Sequence, residues 1–419
     1  MLKKVMLISG ILIGVLALVF AVTLPAEATT DPMTKIERLG KMLFLDKQLS
    51  LNNNQSCATC HAAEFGFTGP KGKINEHGAV YPGSDPTKFG DRKPPTSAYG
   101  GESPLLYYNV DDEVWMGGMF WDGRATGWTL GDPLAEQAKG PFLNPLEQTI
   151  PDAETLCWKV FKSNYAKLFR QVWGVLDCST PEAIADVYDQ IGFSISAYEK
   201  SYEVNPFNSK FDGFWDNAKL AGMDVTLIDE DNFADYFDLG LSEDEVFGLA
   251  IFNDEDKGKC ALCHTFDEGA AGYPLFTDFT YDNLGVPKNL ENPVYMNNPG
   301  FIDPGLGGFL EAAGYPEEVY SIEWGKVKVP TLRNVDQREG DTIKAYGHNG
   351  FFKSLYDIVH FYNTRDVEPW PEPEYAETVN HDELGDLGLT EYEENALVLF
   401  MQTLTDSTQT VTSALSTSK

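Results

Sequence analysis

Cys57-Ala58-Thr59-Cys60-His61 and Cys260-Ala261-Leu262-Cys263-His264 are two copies of one pattern, C-x-x-C-H, and they decide what kind of core this chain can build. In that pattern two thiols add to the two vinyl groups of one porphyrin, and the adjacent imidazole reaches the iron from the proximal side. A single copy also suits a redox dithiol or a zinc site. Two copies, with no further Cys/His cluster nearby to complete a zinc sphere, point to two covalently bound c-type haems. Cys57, Cys60, Cys260 and Cys263 would attach them, with His61 and His264 on the irons.

Working outward, the motifs lie 203 residues apart, more than one small cytochrome domain needs, so each haem is expected in its own domain. Leu39-Gly40-Lys41-Met42-Leu43-Phe44 precedes the first motif and Phe247-Gly248-Leu249-Ala250-Ile251-Phe252 the second, a short internal similarity that suggests two related halves. Ser242-Glu243-Asp244-Glu245 is a capping-box pattern that starts the helix before the second motif. Thr180-Pro181-Glu182 opens another helix, carried by Ile184, Val187, Tyr188, Ile191, Ile195 and Tyr198 at helical spacing. It is expected to run to the turn Asn205-Pro206-Phe207-Asn208, the domain boundary. A last helix is expected around Ala396 to Leu404.

Strand-like alternation is scarce, so the expected fold is mainly α: two cytochrome c-like haem domains with long loops. The expected division is a signal peptide over 1–28, an N-terminal haem domain over 29–205, a C-terminal haem domain over 206–406 and a Ser/Thr-rich tail over 407–419. The 38 Gly and 24 Pro fit loops draped over porphyrins.

Lys3 and Lys4 precede an apolar run from Val5 to Val22, and Ala26-Glu27-Ala28 has the small-x-small form of a cleavage site. The expectation is a mature start near Thr29 and export, to the periplasm in a two-membrane cell; a retained membrane anchor is the alternative. After cleavage nothing else is long enough to span a bilayer. In an exported chain thiols are normally oxidised or occupied, so Cys157 and Cys178, left over from the motifs, are expected to form a disulfide, with two free buried thiols as the alternative. The net charge of −33 excludes nucleic acid and anionic lipid as partners, and it suits either a basic protein partner or a solvated surface.

Further blocks, Phe120-Trp121-Asp122-Gly123-Arg124-Ala125, Glu136-Gln137-Ala138-Lys139-Gly140-Pro141, Asn144-Pro145-Leu146-Glu147 and Val329-Pro330-Thr331-Leu332-Arg333-Asn334, complete a pattern. From about Leu39 to Asp406 the chain resembles the di-haem cytochrome c peroxidase and MauG family. The resemblance implies haems facing a shared interdomain interface, His61 serving the peroxide-reacting haem and His264 the electron-transfer haem. It makes Trp121 the tryptophan between them, and Gln137 and Glu147 the distal amide and carboxylate. Cleaving hydrogen peroxide needs one group to take a proton from one oxygen and return it to the departing one; Glu147 can do both, whereas Gln137 can only orient.

Ordinary members place a methionine ligand fourteen residues beyond the His of a Tyr-x-His-x-Gly block, and MauG a tyrosine. Here Tyr346-Gly347-His348-Asn349-Gly350 is followed at that distance by Tyr362. Leu355, Ile358, Val359 and Tyr362 share one helical face, whereas His360 is rotated from Tyr362 by roughly 200°. Tyr362 is therefore the expected axial ligand, against the alternative of a core tyrosine; a hard phenolate favours oxidised iron, where a thioether favours the reduced state. His77, sixteen residues after His61, matches the position of a removable resting-state axial ligand, yet its loop differs and a surface role is equally open. The calcium positions implied by the resemblance are occupied by Lys93, Ile343 and Ala345, and a lysine cannot ligate calcium as the family's asparagine does.

The function expected is peroxide reduction to water at the N-terminal haem, with electrons from a small cytochrome c or a copper protein. The alternatives are a MauG-like enzyme that oxidises residues of a partner protein, and a non-enzymatic di-haem electron-transfer cytochrome. A homodimer is compatible with either.

Overall fold

The helices that precede the two motifs, Lys35–Leu45 and Glu243–Asn253, each begin at a capping box, Thr34 with Glu37 and Ser242 with Glu245. Each satisfies two otherwise orphaned N–H groups at the helix start. Each helix then crosses a partner at its glycine. A Cβ on Gly40 would overlap the Ser194 carbonyl and approach the Tyr198 Cβ; one on Gly248 would overlap the Ala396 carbonyl and approach the Phe400 Cβ. The partner residues are four apart in both cases, so the internal similarity corresponds to one helix crossing built twice.

The partners are Pro181–Glu199 and Glu391–Gln402. The first ends six residues before the expected turn at Asn205, because the Asn205 amide turns back to cap it, donating to the Glu199 carbonyl at 2.7 Å and to that of Ser201. The last helix starts earlier than expected, at a third capping box formed by Thr390 and Glu393. Helices Pro133–Leu143 and Ala153–Phe161 pack on Pro181–Glu199, and Leu355–Thr364 packs on Glu391–Gln402.

The computed structural model describes residues 33–407; the expected signal segment with its expected cleavage near Thr29, and the expected tail beyond Ser407, lie outside them. Over the described residues from Thr34 the chain forms one compact unit. Within it, one apolar cluster is drawn wholly from the C-terminal half, with Phe211, Phe252, Phe276 and Phe400 in edge-to-face contact. Phe44 meets Tyr198 in the corresponding place of the N-terminal half. Among the described residues strand is confined to two short antiparallel pairs, Tyr107–Asn109 with Val114–Met116 and Tyr281–Asp282 with Val327–Lys328, so the fold is mainly α. Among the described residues no helix is long and apolar enough to cross a membrane.

Cys157, on Ala153–Phe161, and Cys178 form a disulfide with a Cα–Cα distance of 5.9 Å, tying the loop before the long helix to its neighbour. Closing that 21-residue separation restricts the unfolded chain by about 3 kcal/mol in the loop-entropy account.

Candidate functional site

Both motifs form a single turn whose next residue is the histidine: the His61 N–H donates to the Cys57 carbonyl, and the His264 N–H to that of Cys260, each at 2.9 Å. This directs each imidazole and its two thiols to one side of a cavity. The rings are fixed the same way in both halves. His61 Nδ1 lies 3.0 Å from the Phe67 carbonyl oxygen and His264 Nδ1 2.9 Å from that of Phe276. Phe67 and Phe276 both have positive φ, 56° and 53°, the local bend that aims each carbonyl at its imidazole. An Nδ1–H donated to a carbonyl leaves Nε2 free as a metal ligand. Burial lowers both histidines to about 4, so the rings are neutral at pH 7, as ligation requires.

The first cavity is lined by Cys57, Cys60, His61, Gln137, Glu147 and Glu199, among others. Gln137 comes from helix Pro133–Leu143; Glu147 follows in the turn after it, where the Asn144 amide donates to its carboxylate at 2.9 Å. Burial raises the Glu147 carboxyl, opposed by the Arg124 guanidinium and the Asn144 hydrogen bond. Glu199 was not anticipated, although it sits four residues beyond Ile195 on the apolar stripe, a signal that was available. It is 3% exposed, its Oε2 has no partner, and burial raises it to about 8.

The second, larger cavity is lined by Cys260, Cys263 and His264, by Leu355, Ile358, Val359 and Tyr362 along one helix face, and by Trp121. His360 faces the other way, its Nδ1 2.8 Å from Glu394. Burial pushes the Tyr362 phenol far up, so a phenolate there needs a positive partner such as a metal. Gly66, Thr68, Lys93 and Thr96 also line this cavity, so the loops that surround His61 form part of its wall.

Trp121 lies on that wall, its indole N–H donating to the Lys93 carbonyl at 2.8 Å. His77 is elsewhere: its side chain is 61% exposed and 3.2 Å from Glu291 at the surface, outside the residues that line the His61 cavity. Of the positions considered for calcium, Lys93 is a buried cation whose Nζ donates to the Pro94 carbonyl, and the Ile343 carbonyl already accepts from Asn75. Among the described residues no cluster of His, Cys, Asp or Glu is arranged as a metal site.

The residues present fit haem at both places. Burial pushes all four motif thiols up, Cys60 and Cys260 to about 12, so they are not free thiolates, and each cavity holds buried polar atoms without partners. These are Gln55 Oε1, Gln148 Oε1 and Glu199 Oε2 around the first, and His348 Nδ1 and Arg333 Nη2 around the second. Unpartnered polar atoms in a cavity are costly unless a bound group or water meets them.

Two cytochrome c-like crossings, each delivering a C-x-x-C-H turn to a cavity, define a di-haem c-type oxidoreductase. The chain belongs to the di-haem cytochrome c peroxidase family: the profile of that description matches residues 34–219, and a relative spans nearly the whole chain. That relative, the methylamine utilization protein MauG of Paracoccus denitrificans, is 33% identical over 92% of this chain and 93% of its own length. Cytochrome c551 peroxidase of Nitrosomonas europaea is 26% identical over 80% of this chain and 75% of its own. Among solved structures, the diheme peroxidase BthA of Burkholderia thailandensis matches with a TM-score of 0.74 and 29% identity, covering 91% of this chain and 88% of that one. Family membership implies two c-type haems and an oxidoreductase acting on peroxide or a protein substrate.

Proposed function

We propose that the protein is an exported peroxidase that reduces hydrogen peroxide to water at the haem of the His61 cavity. Electrons or oxidising equivalents would pass through Trp121 and the haem of the His264 cavity. The observation that carries this reading is the convergence of Gln137 and Glu147 on the cavity lined by Cys57, Cys60 and His61. Haem bound there supplies the iron and the redox equivalents; the chain supplies proton handling and orientation. The Gln137 amide holds peroxide or water without titrating. The Glu147 carboxylate accepts the proton of the nearer peroxide oxygen and returns it to the departing one, so that water leaves instead of hydroxide. Burial raises its carboxyl and the Asn144 amide holds it in place, which suits a group that must take up and return a proton.

Covalent attachment through Cys57, Cys60, Cys260 and Cys263, ligation by His61 and His264, cleavage near Thr29 and a periplasmic location belong to the same proposal. So do the haem-bearing halves 29–205 and 206–406. Peroxide added to the ferric holoprotein should change its haem spectrum rapidly, and Glu147→Gln should slow that change by about 10²–10⁴-fold. An unaltered rate in the variant removes Glu147 from the mechanism, and no spectral response in the wild type favours the electron-transfer cytochrome.

A MauG-like role is supported by a separate observation, Tyr362 in line with Leu355, Ile358 and Val359 on the cavity wall beside His264. Tyr362 would help to hold the iron of a haem bound there. A phenolate ligand would lower the potential and stabilise oxidised iron, so that oxidising equivalents from peroxide would be held for residues of a partner protein instead of being quenched by a small cytochrome c or copper protein. Peroxide consumption that depends on a soluble donor supports the conventional enzyme; consumption coupled to oxidation of a partner protein supports the MauG-like one.

A further inference from the structure

Lys344 is 3% exposed, in the segment that leads to Tyr346 on the wall of the second cavity. Its Nζ donates to three backbone carbonyls: Phe65 at 3.2 Å, Asn334 at 2.8 Å and Gln337 at 3.1 Å. Phe65 belongs to the loop that follows His61 and is two residues from Phe67, whose carbonyl orients the His61 ring. Asn334 and Gln337 belong to the loop that continues from Thr331, Leu332 and Arg333, which line the second cavity. The two loops are pressed together: a Cβ on Gly66 would stand 2.8 Å from the Asn334 carbonyl oxygen. A second bond across the same seam runs from the Gln337 amide to the Ala63 carbonyl at 3.2 Å.

Three acceptors match the three N–H donors of an ammonium group, whereas a neutral amine has two and would turn its lone pair on the third carbonyl. Burial, with nearby Lys93 and Arg338, pushes the Lys344 amine well below its ordinary value, opposed by the Asp336 carboxylate; the three carbonyl acceptors, which only an ammonium group can satisfy together, favour the charged form. No carboxylate is hydrogen-bonded to Nζ. The charge is met by carbonyl dipoles, the way a small metal cation is held between loops.

We propose that Lys344 is a positioning residue, a cation tethered to the chain that clamps the His61 loop to the wall of the His264 cavity and thereby couples the two haems. The inference rests on the reading that both cavities carry haem. Its consequence is that a change at one haem is felt at the other through the Phe65–Phe67 loop, with no soluble ion needed to hold the seam.

The test measures coupling directly in the holoprotein. Cyanide affinity of the first haem is determined with the second haem oxidised and then reduced, and the ratio is the coupling constant. A wild-type ratio of about fivefold or more, unchanged by EDTA, is expected to fall toward one in Lys344→Met, while haem content and peroxide reactivity of the wild type report separately on the underlying reading. Where the methionine variant does not load both haems, Lys344→Gln, which keeps two N–H donors and loses the charge, is measured instead, with the same fall expected. A ratio that survives in the loaded variant, that is already one in the wild type, or that EDTA abolishes, overturns the proposal.

Discussion

The indole N–H of Trp121 donates to the carbonyl oxygen of Lys93 at 2.8 Å, and this bond lies at the centre of a repeated arrangement. On the other side of the same residue, the Lys328 N–H donates to the Trp121 carbonyl, also at 2.8 Å. Lys93-Pro94-Pro95-Thr96 and Lys328-Val329-Pro330-Thr331 share the order Lys-x-Pro-Thr. Each threonine hydroxyl donates into the loop beyond its own motif, Thr96 to the Gly66 carbonyl and Thr331 to that of Leu275. Trp121 is thus held between equivalent segments of the two halves, one of them touching each proximal loop.

Trp121→Phe keeps the ring and removes the N–H. It should leave the Lys93 carbonyl short of a donor in a buried wall, lowering stability by about 1–3 kcal/mol. Equilibration between the haems after partial reduction, followed by stopped-flow spectroscopy, should also slow. Unchanged equilibration in a folded variant would remove Trp121 from the route.

Gly248→Ala and Gly40→Ala place a methyl group where a backbone carbonyl of the crossing helix already lies, so the helices must separate. Each should destabilise by about 1–3 kcal/mol in denaturant unfolding. Gly213→Ala, in helix Lys210–Ala221 with open space at its Cβ position, should stabilise by about 0.5–1 kcal/mol. Equal effects at the three glycines would refute the reading of the crossings.

Glu199 bears on pH. Its folded-state value of about 8 stands above the ordinary 4.5, so between those limits the folded protein holds a proton that the unfolded chain has released. Its contribution is intact below the lower value and is lost as pH rises toward 8, by up to about 1.4 kcal/mol per pH unit. Glu199→Gln should flatten the fall in unfolding free energy between pH 5 and 8; an identical slope in the variant would show that another group titrates.

Tyr362→Phe tests the second haem. If the phenolate ligates iron, resonance Raman bands of an iron–tyrosinate bond should be present in the wild type and absent in the variant. His360→Ala, on the face turned to Glu394, should leave them unchanged. Bands that persist without the Tyr362 hydroxyl would assign the ligand elsewhere.

What the sequence by itself determined is what depends on near neighbours in the chain. The C-x-x-C-H turns, the capping box at Ser242, the helix start at Thr180-Pro181, and the phase that separates Tyr362 from His360 are all set within two or three helical turns. The early end of the long helix escaped because Asn205 caps it by bending back, and a periodic pattern does not register a reversal. Glu199 escaped because an acid is expected to face water even when it continues an apolar stripe.

Only the tertiary structure decided which distant residues meet. Trp121 finds Lys93 and Lys328, and Lys344 reaches Phe65 across 279 residues of chain. Gln137 and Glu147 came by resemblance, but their place beside His61 depends on the packing of Pro133–Leu143 against Pro181–Glu199. His77 matched a spacing, yet its loop carries it to the surface beside Glu291. The physical reason is the same throughout. Local hydrogen bonding and helical period are functions of chain separation, whereas a buried charge such as Lys344 is placed by the loops that close around it, and no spacing in the sequence encodes that closure.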